Sequence, residues 1–136
     1  VRMLARRDYA RAELASKLER HVVEGEDLAA LLDDLQARGY LSDARFAESF
    51  VSSRAPRFGS AKLRHALRAR GVADEIIAAA LSAGAGSETA RAREVWRRKY
   101  GAPPTDRSDY ARQARFLQSR GFAVDIIRKV LKEQEE

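Results

Sequence analysis

A sixteen-residue pattern occurs twice in this chain, fifty positions apart, and it limits the possible folds more than any other feature. Ala66-Leu67-Arg68-Ala69-Arg70-Gly71-Val72 followed by Ile76, Ile77, Ala80 and Leu81 is matched position by position by Phe116-Leu117-Gln118-Ser119-Arg120-Gly121-Phe122 followed by Ile126, Ile127, Val130 and Leu131. Each copy reads as the end of one helix, a glycine-centred turn, and a second helix with an apolar stripe at helical spacing. A weaker copy lies upstream, where Leu14 and Leu18 correspond to Leu63 and Leu67, and Leu28, Leu31, Leu32 and Leu35 form the second stripe. A helical hairpin repeated in this way predicts tandem units that bury their apolar faces on one another.

The intervening residues extend the unit to three helices. Ser42 or Asp43 starts a helix that presents Phe46, Ala47, Phe50 and Val51 and ends near Arg54, since Pro56 disfavours helical geometry at the residue before it. Ser87 starts another, carrying Ala92, Val95, Trp96 and Tyr100, and Phe46 and Phe50 lie fifty residues before Trp96 and Tyr100. Ser60 reads as the cap of the helix that follows the basic connector from Arg54 to Gly59, and the later helix begins near Ser108 or Asp109. Upstream, a helix containing Leu4 and Ala5 ends near Arg7 or Asp8, a second runs from Ala12 to about Val22, and a third from Leu28 to Ala37. Ser82 to Ser87, rich in Gly, Ala and Ser, reads as the flexible joint of the chain. No stretch alternates in the manner of a strand. The expected fold is all-α, a tandem array of three three-helix repeats over residues 1–40, 41–84 and 85–136 that forms an elongated, curved molecule.

Composition matters here mainly for what it excludes. Apolar residues at 45% beside charged residues at 34% describe a folded, soluble chain, and no apolar run reaches membrane-spanning length. With no cysteine and only two histidines, there is no thiolate chemistry and no metal-ligand spacing. His21 and His65 read as surface histidines, the serines lack a nucleophile-elbow context, and Gly84 with Gly86 lacks the strand and the Lys-Ser/Thr of a phosphate loop. The expectation is a protein without catalytic residues, cofactor or metal, located in the cytoplasm. The start at Val1, without an initiator Met, reads as part of a longer chain.

Charge points to a partner. The formal net charge is +6, and it divides unevenly: about −1 over residues 1–41, +3 over 42–86 and +4 over 87–136. Arg54, Arg57, Lys62, Arg64 and Arg68 are expected to form one basic surface, while Arg93 with Arg97 and Arg91 with Arg98 flank the Trp96 stripe and Arg112, Arg115 and Arg120 add a further face. Trp96 reads as core before it reads as a base-stacking group. The second helices of the units are too apolar or too acidic to read base edges, so sequence-specific recognition is not expected.

Taken together, Leu4-Ala5-Arg6-Arg7-Asp8-Tyr9-Ala10-Arg11-Ala12-Glu13-Leu14, Gly39-Tyr40-Leu41-Ser42-Asp43-Ala44-Arg45-Phe46-Ala47, Phe58-Gly59-Ser60-Ala61-Lys62-Leu63 with Arg70-Gly71, and Arg120-Gly121-Phe122 with Asp125 to Leu131 resemble the RecX family. The resemblance covers essentially the whole chain. It implies a three-helix-repeat regulator that binds the RecA recombinase and its nucleoprotein filament and restrains strand exchange and ATP hydrolysis, thereby modulating recombination and the SOS response. The resemblance further implies contact with DNA within the filament, single- or double-stranded and without sequence specificity. Ala73 and Ala123 depart from the family in standing where a capping Ser is common, with Asp74 as a substitute cap in the second unit. The rival reading is a nonspecific nucleic-acid-binding module that acts without a recombinase; a third is a purely structural helical adaptor.

Overall fold

A computed structural model describes residues 8–19 and 27–133. Among these residues the chain forms eight helices and no strand: α1 Arg11–Leu18, α2 Leu28–Ala37, α3 Asp43–Arg54, α4 Ser60–Ala69, α5 Asp74–Gly84, α6 Glu88–Lys99, α7 Arg107–Ser119 and α8 Val124–Glu133. The helix expected at Leu4 and Ala5, the expected end near Val22 and His21 lie outside the described residues.

The helices bury three separate apolar clusters. Tyr9, Leu14, Leu32, Leu35 and Leu41 form the first. The second is built on Phe46, Phe50, Val51, Leu63, Leu67, Val72 and Ile77. The third contains Val95, Trp96, Leu117, Phe122, Ile127, Val130 and Leu131. The fifty-residue repeat places equivalent side chains at equivalent depth: Leu67 and Leu117 are each fully buried, as are Val72 and Phe122 and then Ile77 and Ile127. Truncating a leucine at such a site costs roughly 2–5 kcal/mol, so each module rests on a few residues.

The first helix of each module follows a different register from the expected one. α3 and α6 are both twelve residues long and start forty-five positions apart, so buried Ala47, Phe50 and Val51 match Ala92, Val95 and Trp96. Phe46 therefore corresponds to Arg91 rather than to Trp96. The missing five positions lie between the helices: the connector 100–106 is two residues longer than 55–59, and α7 starts a further three residues early relative to α4. One core position changes character as a result of the repeat itself, since Leu63 is matched by Gln113. Gln113 is 2% exposed, and its Oε1 accepts the indole N–H of Trp96 at 2.7 Å, so a buried polar pair replaces an apolar contact without leaving the indole donor unsatisfied.

Caps account for most boundaries. Ser42, Ser87 and Asp106 accept the N–H groups of Arg45, Ala90 and Asp109. Ser60 does not cap α4: Gly59 occupies that position, and the N–H of Ser60 donates to Glu88 Oε1 from α6 at 3.1 Å. Ala73 likewise provides no side-chain cap to α5, and Asp74 pairs with Arg68 instead. α7 begins at Arg107, one to two residues before the expected start.

Neighbouring modules meet in a similar way at two junctions, and backbone hydrogen bonds tie the second. The N–H groups of Gly59 and Ala61, at the start of α4, donate to the carbonyls of Arg120 and Gly121 at 2.7 and 3.2 Å. Gly121 has φ +94°, and a Cβ there would lie 2.4 Å from Lys62 Cβ; a Cβ on Gly59 would lie 2.3 Å from Gly121 O. One module upstream, Ala10 is fully buried at the start of α1, and a Cβ on Gly71 would lie 2.6 Å from Ala12 Cβ. The capping carboxylate also recurs, since the N–H of Arg11 donates to Asp43 Oδ1 at 2.7 Å, as that of Ser60 does to Glu88. In both cases the second helix of one module seats its N-terminus on the glycine turn of the next.

The segment expected to be a flexible joint is accordingly structured. Ser82 to Gly84 belong to α5, and Ala85 is buried in the second core. Replacing Gly59 with Ala is expected to lower stability by about 1–3 kcal/mol through overpacking at the module contact. Replacing Gly84, where an added methyl meets only ordinary contacts, is expected to leave stability unchanged or raise it by up to about 1 kcal/mol. Urea unfolding followed by Trp96 fluorescence measures both; equal effects would contradict a close contact at Gly59.

Candidate functional site

At each junction the repeated contact leaves a groove, and the two grooves are built from equivalent positions. The second is lined by Pro56 and Arg57 of the connector, Val95, Arg98 and Lys99 of α6, Phe116 of α7 and Arg120 of the turn after it, and encloses about 300 Å³. The first includes Asp8, Phe50, Ser53, Arg54 and Arg70 in about 160 Å³. Arg57 corresponds to Asp8 in the register of Leu63 and Leu14. Val95, Arg98 and Lys99 correspond to Phe50, Ser53 and Arg54, and Arg120 to Arg70.

The charge of the two grooves differs. Among the described residues four cations line the second and no carboxylate does. In the first, Arg54 and Arg70 are balanced by Asp8 and Glu13, and Glu13 is the counterpart of Lys62. Asp8 also receives Arg45, whose other nitrogens donate to Gly39 O and Tyr40 O and close the first junction.

Aromatic rings hold the cations of the second groove in place. Lys99 Nζ and the Arg120 guanidinium lie 5.5 and 5.3 Å from the centre of the Phe116 ring. Lys62 and Arg120 lie 4.9 and 5.5 Å from that of Phe58. Each such contact contributes about 0.5–1 kcal/mol at an exposed site, enough to bias where a long side chain rests without removing its charge from solvent. Lys62 Nζ donates in addition to Ser119 O at 3.3 Å.

Beneath the groove, Arg91 acts as a structural cation. Its Nε and Nη2 donate to Ala55 O and Phe58 O at 3.0 and 2.9 Å, tying α6 to the preceding connector, while the buried Nη1 has no hydrogen-bond partner. Burial pushes this guanidinium below its ordinary pKa, and the nearby Glu88 carboxylate opposes the shift. Sequence reading sets Arg91 among the charges flanking Trp96; its match to buried Phe46 emerges only from the helix bounds.

The expected contact residues fall into distinct settings. Arg57 and Arg98 meet in the second groove together with Lys99 and Arg120, which the sequence did not single out as a pair. Arg54 lies in the first groove, its guanidinium 3.9 Å from the centre of the Phe50 ring. Arg68 pairs with Asp74 at 2.8 Å, Arg97 with Glu94 at 3.0 Å, and Arg112 with Asp109 at 2.5 Å. Glu94 also lies 3.9 Å from Arg98. Arg93 makes a two-pronged contact with Glu133, at 3.0 and 3.1 Å, that ties α6 to α8. Arg64 and Arg115 are exposed on α4 and α7. Among the described residues no group of three or more His, Cys, Asp or Glu side chains has the arrangement of a metal site, and no helix is long and apolar enough to cross a membrane.

Comparison with known proteins gives a consistent result. Residues 42–81 match the family model described as RecX, second three-helix domain, and residues 87–131 match RecX, third three-helix domain. The regulatory protein RecX of Leptothrix cholodnii is 48% identical over 132 residues, covering 97% of this chain and 84% of that protein. The regulatory protein RecX of Herminiimonas arsenicoxydans is 42% identical over 136 residues, covering 100% and 90%. The crystal structure of RecX from Lactobacillus salivarius superposes with a TM-score of 0.82 at 19% identity, covering 98% of this chain and 90% of that one, a likeness of fold.

The Arg93 contact predicts a pH signature. Hydrogen bonding from Arg93 holds the Glu133 carboxyl below its ordinary pKa, so the stabilising contribution of the pair is present at neutral pH and is lost as pH falls through the depressed midpoint. Arg93→Ala is expected to return the Glu133 midpoint, followed by carboxyl NMR, toward the usual glutamate value; an unchanged midpoint would show that the pair does not form.

Proposed function

The chain belongs to the RecX family, and on that premise we propose that it is a cytoplasmic regulator that binds the RecA recombinase and its nucleoprotein filament and restrains strand exchange and ATP hydrolysis, modulating recombination and the SOS response. The observation that carries the reading beyond family membership is the repeated junction. At both junctions the start of a helix lies against the glycine turn of the following module, and the second presents a groove lined by Arg57, Arg98, Lys99 and Arg120 with no carboxylate among the described lining residues. Modules fixed in series are suited to bridging neighbouring subunits of a filament, where linked contacts add avidity that no single module has. The action is by occupancy: a protein seated along the filament obstructs strand access and subunit exchange with no bond made or broken, so it requires no catalytic residue and no cofactor.

Division of the chain into units 1–40, 41–84 and 85–136 is part of this proposal, with Ala10 and Leu41 exchanged across the first boundary, each packing in the neighbouring unit's core. Arg64 and Arg115 are further contact candidates because they are exposed. Arg68, Arg93, Arg97 and Arg112 are weaker ones, since a partner must compete with Asp74, Glu133, Glu94 and Asp109 for them.

Binding to single-stranded DNA alone and to the same DNA coated with RecA and a non-hydrolysable ATP analogue, across a salt series, tests the reading. The coated filament is expected to bind more tightly at every salt concentration, and Arg98→Glu with Arg120→Glu to weaken that binding by roughly tenfold or more while helical content is unchanged. Equal or tighter binding to naked DNA would instead favour the nonspecific nucleic-acid module.

A further inference from the structure

We infer that the groove at the second junction takes the phosphodiester backbone of a single nucleic-acid strand and makes no contact with its bases. The inference deepens the proposed function by assigning a ligand class to that groove, and it rests on that reading only in treating the groove as the anion-facing surface.

Three observations favour phosphates. First, the lining concentrates Arg57, Arg98, Lys99 and Arg120 around an apolar floor of Pro56, Val95 and Phe116 with no carboxylate among them. Glu94, the acid nearest Arg98 at 3.9 Å, is engaged at shorter range by Arg97. Second, the groove at the first junction draws on equivalent positions but carries Asp8 and Glu13 where the second module supplies Arg57 and Lys62. The architecture of the junction therefore does not require cations at these two positions. Third, several separated cations along an open groove match a repeating anion better than a single carboxylate.

Exclusion of the bases follows from the rings. A groove that binds single strands by stacking needs free aromatic faces. Phe116 is flanked by Lys99, Arg120 and the edge-on ring of Tyr100, whose centre is 5.6 Å away. Phe58 is flanked by Arg57, Lys62 and Arg120. Trp96, the largest aromatic of the chain, is 4% exposed and hydrogen-bonded to Gln113. A base stacking on Phe116 or Phe58 has to displace the cations that the adjacent phosphates need, so stacking and phosphate contact compete for the same side chains.

The test uses the whole chain and naked strands, so that its outcome is independent of whether RecA is a partner. Fluorescence anisotropy would compare an oligothymidylate of about 12 nucleotides with an abasic strand of the same length and charge, over a salt series. The two are expected to bind within about threefold of each other, with a salt slope of about −2 to −3 set by three or four phosphate contacts. Arg98→Gln with Arg120→Gln is expected to weaken both about tenfold and to reduce the slope by about 1.4, while Arg38→Gln in the first module changes binding less than about twofold. Circular dichroism confirms that each variant is folded. A loss of more than about tenfold for the abasic strand would place bases in the groove and overturn the inference. So would equal effects of the groove and Arg38 substitutions, or polyglutamate of matching charge competing as well as the strand, which would make the groove a site for acidic protein.

Discussion

The seating of a helix N-terminus on the glycine turn of the next module is the contact on which the rest of this molecule depends. At the second junction it satisfies two of the N–H groups that every helix leaves unpaired at its start, using the carbonyls of Arg120 and Gly121 in that turn. Both ends are helped electrostatically, since the positive end of α4 meets the negative end of α7. Glu88 neutralises a third N–H from the side, and Arg91 fixes the connector from below. None of these groups is aromatic or strongly apolar, yet together they determine where one hydrophobic core lies relative to the next.

The function proposed for the chain follows from that geometry more than from any single side chain. A groove between two modules keeps its shape only if the modules keep their relation. The cations of the second groove come from three elements in two modules: Arg57 from the connector, Arg98 and Lys99 from α6, and Arg120 from the turn on which α4 is seated. Arg120 belongs to both the joint and the site, because its carbonyl accepts the N–H of Gly59 while its guanidinium lies beside Phe116 and Phe58. Loosening the joint therefore displaces a member of the site. The first junction carries Asp8 and Glu13 at the positions of Arg57 and Lys62, which separates the structural requirement of the repeat from the chemistry added at one of its copies.

Much of the fold was legible in the sequence because its signals are local. α2 occupies the expected Leu28–Ala37, α3 stops at the expected Arg54, and Ser42 and Ser87 cap as their type suggests. The repeat exposed the paired positions Leu67 and Leu117, Val72 and Phe122, and Ile77 and Ile127. What was missed depends on distant partners. Ser60 is a plausible cap by composition, but Glu88, twenty-eight residues away, takes over that role. Ser82 to Ser87 has the composition of a linker, but helix propagation and the burial of Ala85 override it. Extending the fifty-residue register into the first helix was an error because the extra residues before α7 shift α6 by five, and aligning apolar side chains alone did not reveal this. The second groove was half legible: Arg57 and Arg98 stood out as charges, whereas their meeting with Lys99 and Arg120 depends on the junction.

The central claim is that this junction is rigid, and a distance measurement across it is the most direct test. The native chain has no cysteine, so spin labels placed by Ala78→Cys on α5 and Lys129→Cys on α8, both exposed, report the relation of the second and third modules without interference. The account predicts one narrow distance distribution in pulsed electron spin resonance, broadened when Gly59 is replaced by Ala. A broad or bimodal distribution in the otherwise native chain would show that the modules hinge freely, and the groove would then not be the fixed surface on which the proposed function relies.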